Sequence, residues 1–265
     1  LEWLERHEDA VIDWIPVDDV GRMDLAALEA AMGQDVALVT TLLANNEVGT
    51  VQPVAEIVRI AGEVPVHCDA VGAWGQVPLP AGLAAISVSA HKLGGPVGIG
   101  ALALARGTTV TPLIHGGNQQ PSRSGTQDAA AAAAFAAATA LPHADLAPLR
   151  DRLIAGVRAA VPEAVLRGDP VDRLPGNVHF TFPGCEGDSL LFLLDAAGIS
   201  VSTGSACQAG VPEASHVLLA MGLDEPTARG ALRFTLGHGS TAADVDALLA
   251  ALPHAVERAR SAGLV

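Results

Sequence analysis

Helical and extended patterns alternate through the first half of the chain. Apolar positions three and four apart predict helices over 25–32 and 54–61, while the unbroken apolar runs at 36–42 and 64–68 have the length of strands. Residues 85–89 and 100–104 are further strand candidates. Apolar strands alternating with helices predict a parallel or mixed sheet covered on both faces. Beyond this half, an Ala-rich helix over 127–141 runs into Pro142 and Pro148. A helix over 149–161, a strand at 177–182, a helix over 186–197 and a loop over 202–212 come next. A short helix ending at Met221, a strand at 231–235 and a closing helix over 241–260 complete the pattern. The reading is an α/β protein: a mostly parallel sheet sandwiched by helices in a large domain over residues 1–143, then a smaller α+β domain over 144–265. Residues 1–8 read as the later part of an amphipathic helix with no capping residue before it, as though the chain began partway through an element.

Composition narrows the possible partners. Half of the 265 residues are apolar and 17% are charged, which excludes a disordered chain and leaves enough apolar surface for a real core. The net charge of −14 argues against DNA or an anionic membrane as principal partner. No basic start followed by an apolar core marks a signal peptide, and the uncharged stretch 129–141 is far too short to span a bilayer, so a soluble cytoplasmic protein is expected. Cys68, Cys185 and Cys207 form no C-x-x-C pair and have no histidine at metal-ligand spacing, which argues against structural zinc; an intracellular setting disfavours a Cys185–Cys207 disulfide. There is no tyrosine, so no mechanism can use a phenol. Of the fifteen basic residues Lys92 is the sole lysine. Arginine is permanently protonated, whereas lysine can become a neutral amine and form a Schiff base; chance in an Arg-rich chain is the competing explanation.

In sheets of this kind ligands sit outside the carboxyl ends of the strands, so the residues after each apolar run carry the interest. Asn45-Asn46-Glu47-Val48-Gly49-Thr50 follows the first run, Asp69 the second, and Ser89-Ala90-His91-Lys92 the third. Singly these are ordinary turn chemistry, a helix cap and a tight loop. Jointly they fit pyridoxal phosphate held as an imine: Lys92 gives the amine, Asp69 pairs with the pyridinium nitrogen, and Ser89 and His91 donate to the phosphate. The loop Ser202-Thr203-Gly204-Ser205-Ala206-Cys207 supplies a thiol among small residues, a candidate nucleophile. Cys68, ending an apolar strand, suits a buried structural role, and Cys185 after Pro183-Gly184 reads as incidental. Arg233 in the apolar strand ALRFTLG needs an anionic partner, either a substrate carboxylate or a structural Asp or Glu.

The order NNEVG, HCDA, SAHK with its glycine-rich tail, SRSGT, STGSACQAG and LRFTLG resembles the cysteine desulfurases of the NifS and IscS kind, class V aminotransferases that use pyridoxal phosphate on an aspartate aminotransferase-like fold. The resemblance implies that Lys92 forms the imine and moves protons, that Asp69, Ser89 and His91 hold the cofactor, and that Thr126 reaches the phosphate of the other subunit in a homodimer. It further implies that Asn46 and Arg233 hold the substrate carboxylate, with Asn46 also near the cofactor. Cys207 would take the sulfur of L-cysteine as a persulfide, leaving L-alanine, and pass it to an acceptor such as an iron–sulfur scaffold or to tRNA thiolation. Two departures stand out. Gly72 occupies the position of a glutamine in the family, with Gln76 four residues on, and the family's front segment, carrying a phosphate loop and a stacking histidine, is not seen. The sequence therefore reads as the C-terminal part of such an enzyme. A selenocysteine or cysteine-sulfinate lyase and a non-catalytic dimerising module of the same fold are the alternatives.

Overall fold

The computed structural model describes residues 2–117, 119–120, 122–204 and 214–262. A short helix α1 (Glu2–His7) leads in, with Trp3 and Leu4 exposed rather than packed on an apolar partner. Helix α2 (Leu25–Ala31) is started by Asp24, whose side chain accepts from the N–H groups of Ala26 and Ala27. Strand β1 (Val39–Leu42), helix α3 (Val54–Ala61), strands β2 (Val66–Asp69) and β3 (Ala85–Ser89), a 3-10 turn (Ala90–Leu93) and strand β4 (Gly100–Leu104) follow.

These strands form one sheet in the order β1-β2-β3-β4, parallel across the first two pairings and antiparallel at the last. The reversal follows from chain length. A parallel return needs a crossover of a dozen or more residues, and only residues 90–99 separate β3 from β4. Both β1 and β2 begin later than their apolar runs. The ladder starts where Val39 N–H meets the Pro65 carbonyl, and Pro65 has no N–H with which to extend the pairing backwards. Val39, Thr41, Val66, Cys68 and Val88 point to the buried face, where Leu28, Ile57 and Phe135 pack. The opposite face carries Thr40, Leu42, His67, Asp69 and Ser87, and Leu42 and Leu102 are 38% and 50% exposed on it. Among the described residues the helical covering thus falls on one face of these four strands.

Helix α4 (Ala129–Thr139) is capped by Asp128 and packs on the 3-10 turn. The second half contains α5 (Ala147–Ala160), β5 (Val165–Leu166), β6 (Asn177–Thr181), α6 (Gly187–Ala196), α7 (His216–Ala220), α8 (Glu225–Arg229), β7 (Ala231–Thr235) and α9 (Ala242–Ala262). Its sheet is antiparallel in the order β5-β6-β7, and β6 is buried at every position. Phe180, Phe182, Val178 and Leu232 meet Leu153, Val157, Leu190, Leu194 and Leu252 from α5, α6 and α9 in one core. Each such side chain contributes about 1.5–3 kcal/mol when fully buried. Cys185 belongs to this core at 5% exposure, so it is a packing residue rather than an incidental one. The α8 turn and the two-residue β5 are too short to show a period in sequence.

His179 sits on β6 opposite Arg233, wholly buried, and both ring nitrogens are unpartnered among the described residues. Burial, then the charges of Arg233, Arg173 and Arg167, push its pKa down from 6.5 to about 3. The unfolded chain therefore binds a proton between pH 6.5 and 3 that the folded protein refuses. This contribution to stability is full above 6.5 and is lost as the pH falls below it. Urea unfolding should show the protein about 2 kcal/mol less stable at pH 5 than at pH 7 from this group. The His179→Leu variant should show a flatter profile; an unchanged slope would refute the assignment.

Candidate active site

The carboxyl ends of β1, β2 and β3 lie side by side and carry Asn46, Asp69 and the Ser89-Ala90-His91-Lys92 segment respectively. Register pairs Asp69 with Ser87, two residues before Ser89 on the same face. Asp69 is half-buried, and its Oδ1 accepts from the Val71 N–H at 2.8 Å, which fixes the carboxylate at the strand end. The Ser89 hydroxyl and His91 Nδ1 are 2.6 Å apart. Gly94, left-handed at φ 78°, closes the 3-10 turn that carries Lys92. Lys92 is exposed, so its amine keeps its conformational freedom and its access to a small molecule.

His67 shares the face of Asp69. Thr40 Oγ1 lies 2.8 Å from its Nδ1 and Ser87 Oγ 2.8 Å from its Nε2, so a hydroxyl–imidazole–hydroxyl chain crosses β1, β2 and β3. Cys68, between His67 and Asp69, points the other way. Burial, and then Asp69, push its thiol up to about 11, the behaviour of a structural cysteine. Burial likewise raises Cys185, whose thiol contacts the Val256 carbonyl at 3.8 Å.

The turn after β1 joins the two halves of the chain. Asn45 does turn chemistry, its Oδ1 accepting from the N–H groups of Glu47 at 2.8 Å and Val48 at 3.0 Å. Gly49 is left-handed at φ 82°, and a β-carbon there would lie 2.7 Å from Asn177 Oδ1, so no other residue fits. The next three carbonyls all accept from the second half: Asn46 from Arg233 Nη1 at 3.0 Å, Glu47 from Asn177 Nδ2 at 3.0 Å and Val48 from Arg173 Nη2 at 3.1 Å. Arg173 is 4% exposed, and burial lowers its pKa to about 10, which leaves it protonated at neutral pH. Val48 packs with Leu218, Met221, Ala228 and Ala231 beneath the turn.

Arg233 on β7 therefore reaches Asn46, and its backbone exchanges hydrogen bonds of 2.7 and 3.1 Å with Ser202, where the STGSAC loop begins. Asn46 and Arg233, paired by sequence reasoning, are brought together. Cys207 lies outside the described residues. Thr126 is exposed on the segment before α4, and no hydrogen bond among the described residues ties it to the cluster. At Gly72 a β-carbon would sit 3.7 Å from the Asn46 β-carbon, an ordinary contact, so space does not demand glycine there. Gln76 folds back on Gly72, donating to its carbonyl at 3.1 Å. Sequence reasoning passed over His67, Arg173 and the pair Glu47–Ser215. An acidic residue followed by Val48 and Gly49 in the turn was the available signal for Glu47; its partner, 168 residues away, has none.

The residues suit pyridoxal phosphate on the chemistry of the donor set. A lone amine, a carboxylate and a hydroxyl–imidazole pair end adjacent strands, and each group meets one need of that molecule. No helix among the described residues is long and apolar enough to cross a membrane. The aminotransferase class-V family model matches residues 1–248. The chain is 52% identical to the IscS-like cysteine desulfurase of Mycobacterium tuberculosis, covering 100% of this chain and 71% of that protein. It is 45% identical to the cysteine desulfurase of Cereibacter sphaeroides, covering 97% and 69%. Among solved structures, a NifS-like protein matches with TM-score 0.84 at 33% identity over 97% of this chain and 71% of that one. A NifS-like protein from Rickettsia africae matches with TM-score 0.84 at 30% identity over 96% and 72%.

Proposed function

From a chain that belongs to the class-V aminotransferase family, alongside the cysteine desulfurases of the IscS and NifS kind, we propose a pyridoxal phosphate-dependent cysteine desulfurase activity that converts L-cysteine to L-alanine. The observation that carries the reading is the alignment of Lys92, Ser89–His91 and Asp69 at the ends of neighbouring parallel strands, with Asn46 and Arg233 joined at 3.0 Å beside them. Pyridoxal phosphate bound through the Lys92 amine supplies an electron sink. Asp69 accepts from the ring N–H and keeps that nitrogen protonated. Ser89 and His91 donate to the phosphate, and Thr126 does so from the second copy of a homodimer. Arg233 and Asn46 bind the substrate carboxylate and orient its side chain toward Cys207. Lys92 moves a proton at the substrate's α-carbon.

The Cys207 thiolate attacks the substrate sulfur. The carbon–sulfur bond breaks, a sulfur–sulfur bond forms, and the electron pair left on carbon takes up a proton, giving alanine and a persulfide on Cys207. That sulfur passes to an acceptor protein such as an iron–sulfur scaffold, or toward tRNA thiolation, in the cytoplasm. We further propose the boundary between a cofactor-binding domain over 1–143 and a cysteine-bearing domain over 144–265. It falls in the link between α4 and α5, and the two sheets lie on either side of it.

The test is turnover of the purified protein supplied with pyridoxal phosphate. L-Cysteine should yield alanine and, with added thiol, sulfide in equal amounts, faster than cysteine sulfinate is cleaved. A visible cofactor band with no alanine formed would overturn the reading.

A further inference from the structure

Glu47 is 1% exposed, and burying a carboxyl group is costly unless it is hydrogen-bonded. Its Oε2 accepts from the Ser215 hydroxyl at 2.5 Å. Ser215 is itself buried and caps α7, its Oγ accepting from the Leu218 N–H at 3.3 Å. The same oxygen lies 3.9 Å from where a β-carbon on Gly204 would stand, and the Ser215 β-carbon is equally close to that point. Gly204 immediately precedes residues 205–213, the stretch that includes Cys207, and Ser215 follows that stretch after Ala214.

The root of the Glu47 side chain is fixed as well. Its N–H is held by Asn45 Oδ1 and its carbonyl by Asn177 Nδ2. The residue before it, Asn46, bears the contact to Arg233, and Arg233 pairs with Ser202 two residues before Gly204. Thr203 adds a hydrogen bond to Asp188 at 3.3 Å on the same stem.

We propose that Glu47 is a positioning residue: its buried carboxyl group, through Ser215 and against Gly204, sets where the Cys207-bearing stretch leaves and rejoins the fold relative to Asn46 and Arg233. One turn then carries both the contact to Arg233 and the anchor at the described ends of that stretch. The inference rests on Cys207 being the sulfur acceptor.

The full chain is tested as Glu47→Ala, Glu47→Gln and Ser215→Ala. The first readout needs no cofactor: the rate at which iodoacetamide modifies Cys207, resolved by peptide mass spectrometry. Cys68 and Cys185, buried with raised thiol pKa values, stay unmodified in any variant that keeps its fold. The second is kcat against KM for alanine formation, alongside the visible band on Lys92.

Glu47→Ala should change the Cys207 modification rate severalfold and lower kcat by up to about a hundredfold, as misplacement of a reacting group does. It should retain the band and leave KM little changed. Ser215→Ala should follow it in part, and Glu47→Gln, which keeps an acceptor for Ser215, should recover most of the parent rate. Unchanged Cys207 modification and kcat in Glu47→Ala would overturn the proposal. So would loss of the band with exposure of Cys68 and Cys185, unrescued by glutamine, because Glu47 would then only hold the fold. If Cys207→Ala still forms alanine, the sulfur-acceptor reading fails by itself, and the modification rates still report whether Glu47 positions the stretch.

Discussion

Lys92→Ala should give a folded protein that stays colourless with pyridoxal phosphate and forms alanine more than about a thousandfold more slowly than the parent. The fold should survive because Lys92 is exposed on a 3-10 turn whose packing comes from buried Ala90, and surface substitutions of that kind shift stability by about 0.5 kcal/mol or less. The chemistry should not survive, because no other lysine exists in the 265 residues to take its place. Arginine cannot substitute, since its guanidinium stays protonated and forms no imine. The measurement is a visible absorbance titration with pyridoxal phosphate, followed by borohydride reduction and peptide mass analysis. In the parent the reduced adduct should map to Lys92 alone. A persistent, reducible band in Lys92→Ala would refute the assignment.

Cys207→Ala should separate the two halves of the reaction. The visible band should remain, because the groups proposed to hold the cofactor all lie in the first half of the chain. Alanine formation under excess thiol should fall by about a hundredfold or more, because the nucleophile is gone. Neither remaining cysteine can replace it. Cys68 points into the core on the face of β2 opposite Asp69, and with a thiol pushed up to about 11 it is almost wholly protonated at neutral pH. Cys185 is buried in the core of the second half, its thiol against the Val256 carbonyl of α9. Mass analysis of the parent after one turnover should find the extra sulfur on the Cys207 peptide, and the variant should carry none. Parent-like rates in Cys207→Ala would assign the carbon–sulfur cleavage to a lyase that needs no thiol.

Much of this was legible in the sequence for simple reasons. The strands at 85–89, 100–104 and 231–235 stand where their apolar patterns put them, and so does the helix at 54–61, which Pro53 and Gly62 bound. Asn46, Asp69, Ser89, His91 and Lys92 were legible because parallel strands deliver their carboxyl ends to one edge, so residues following successive apolar runs must be neighbours. Other features had no local signature. The antiparallel turn of β4 depends on how few residues remain for a crossover, and the trimmed starts of β1 and β2 depend on a single proline at position 65. Arg233 was recognised as needing a partner. That it donates to the main-chain carbonyl of Asn46 depends on three-dimensional register. The Glu47–Ser215 contact and the burial of Arg173 against four carbonyls are long-range facts that no periodicity encodes.

The three carbonyls after β1 bear on how the molecule comes into being. Their donors, Arg173, Asn177 and Arg233, leave the ribosome more than a hundred residues after the turn itself. The sheet that displays Lys92 can close early on local contacts, yet the Asn46 carbonyl lacks its Arg233 donor until β7 is made, because contacts of such sequence separation form late. If Asn46 and Arg233 hold the substrate as proposed, that capacity waits for β7, and a ribosome stalled before residue 233 would hold a chain with Lys92 in place and the Asn46–Arg233 contact still unbuilt.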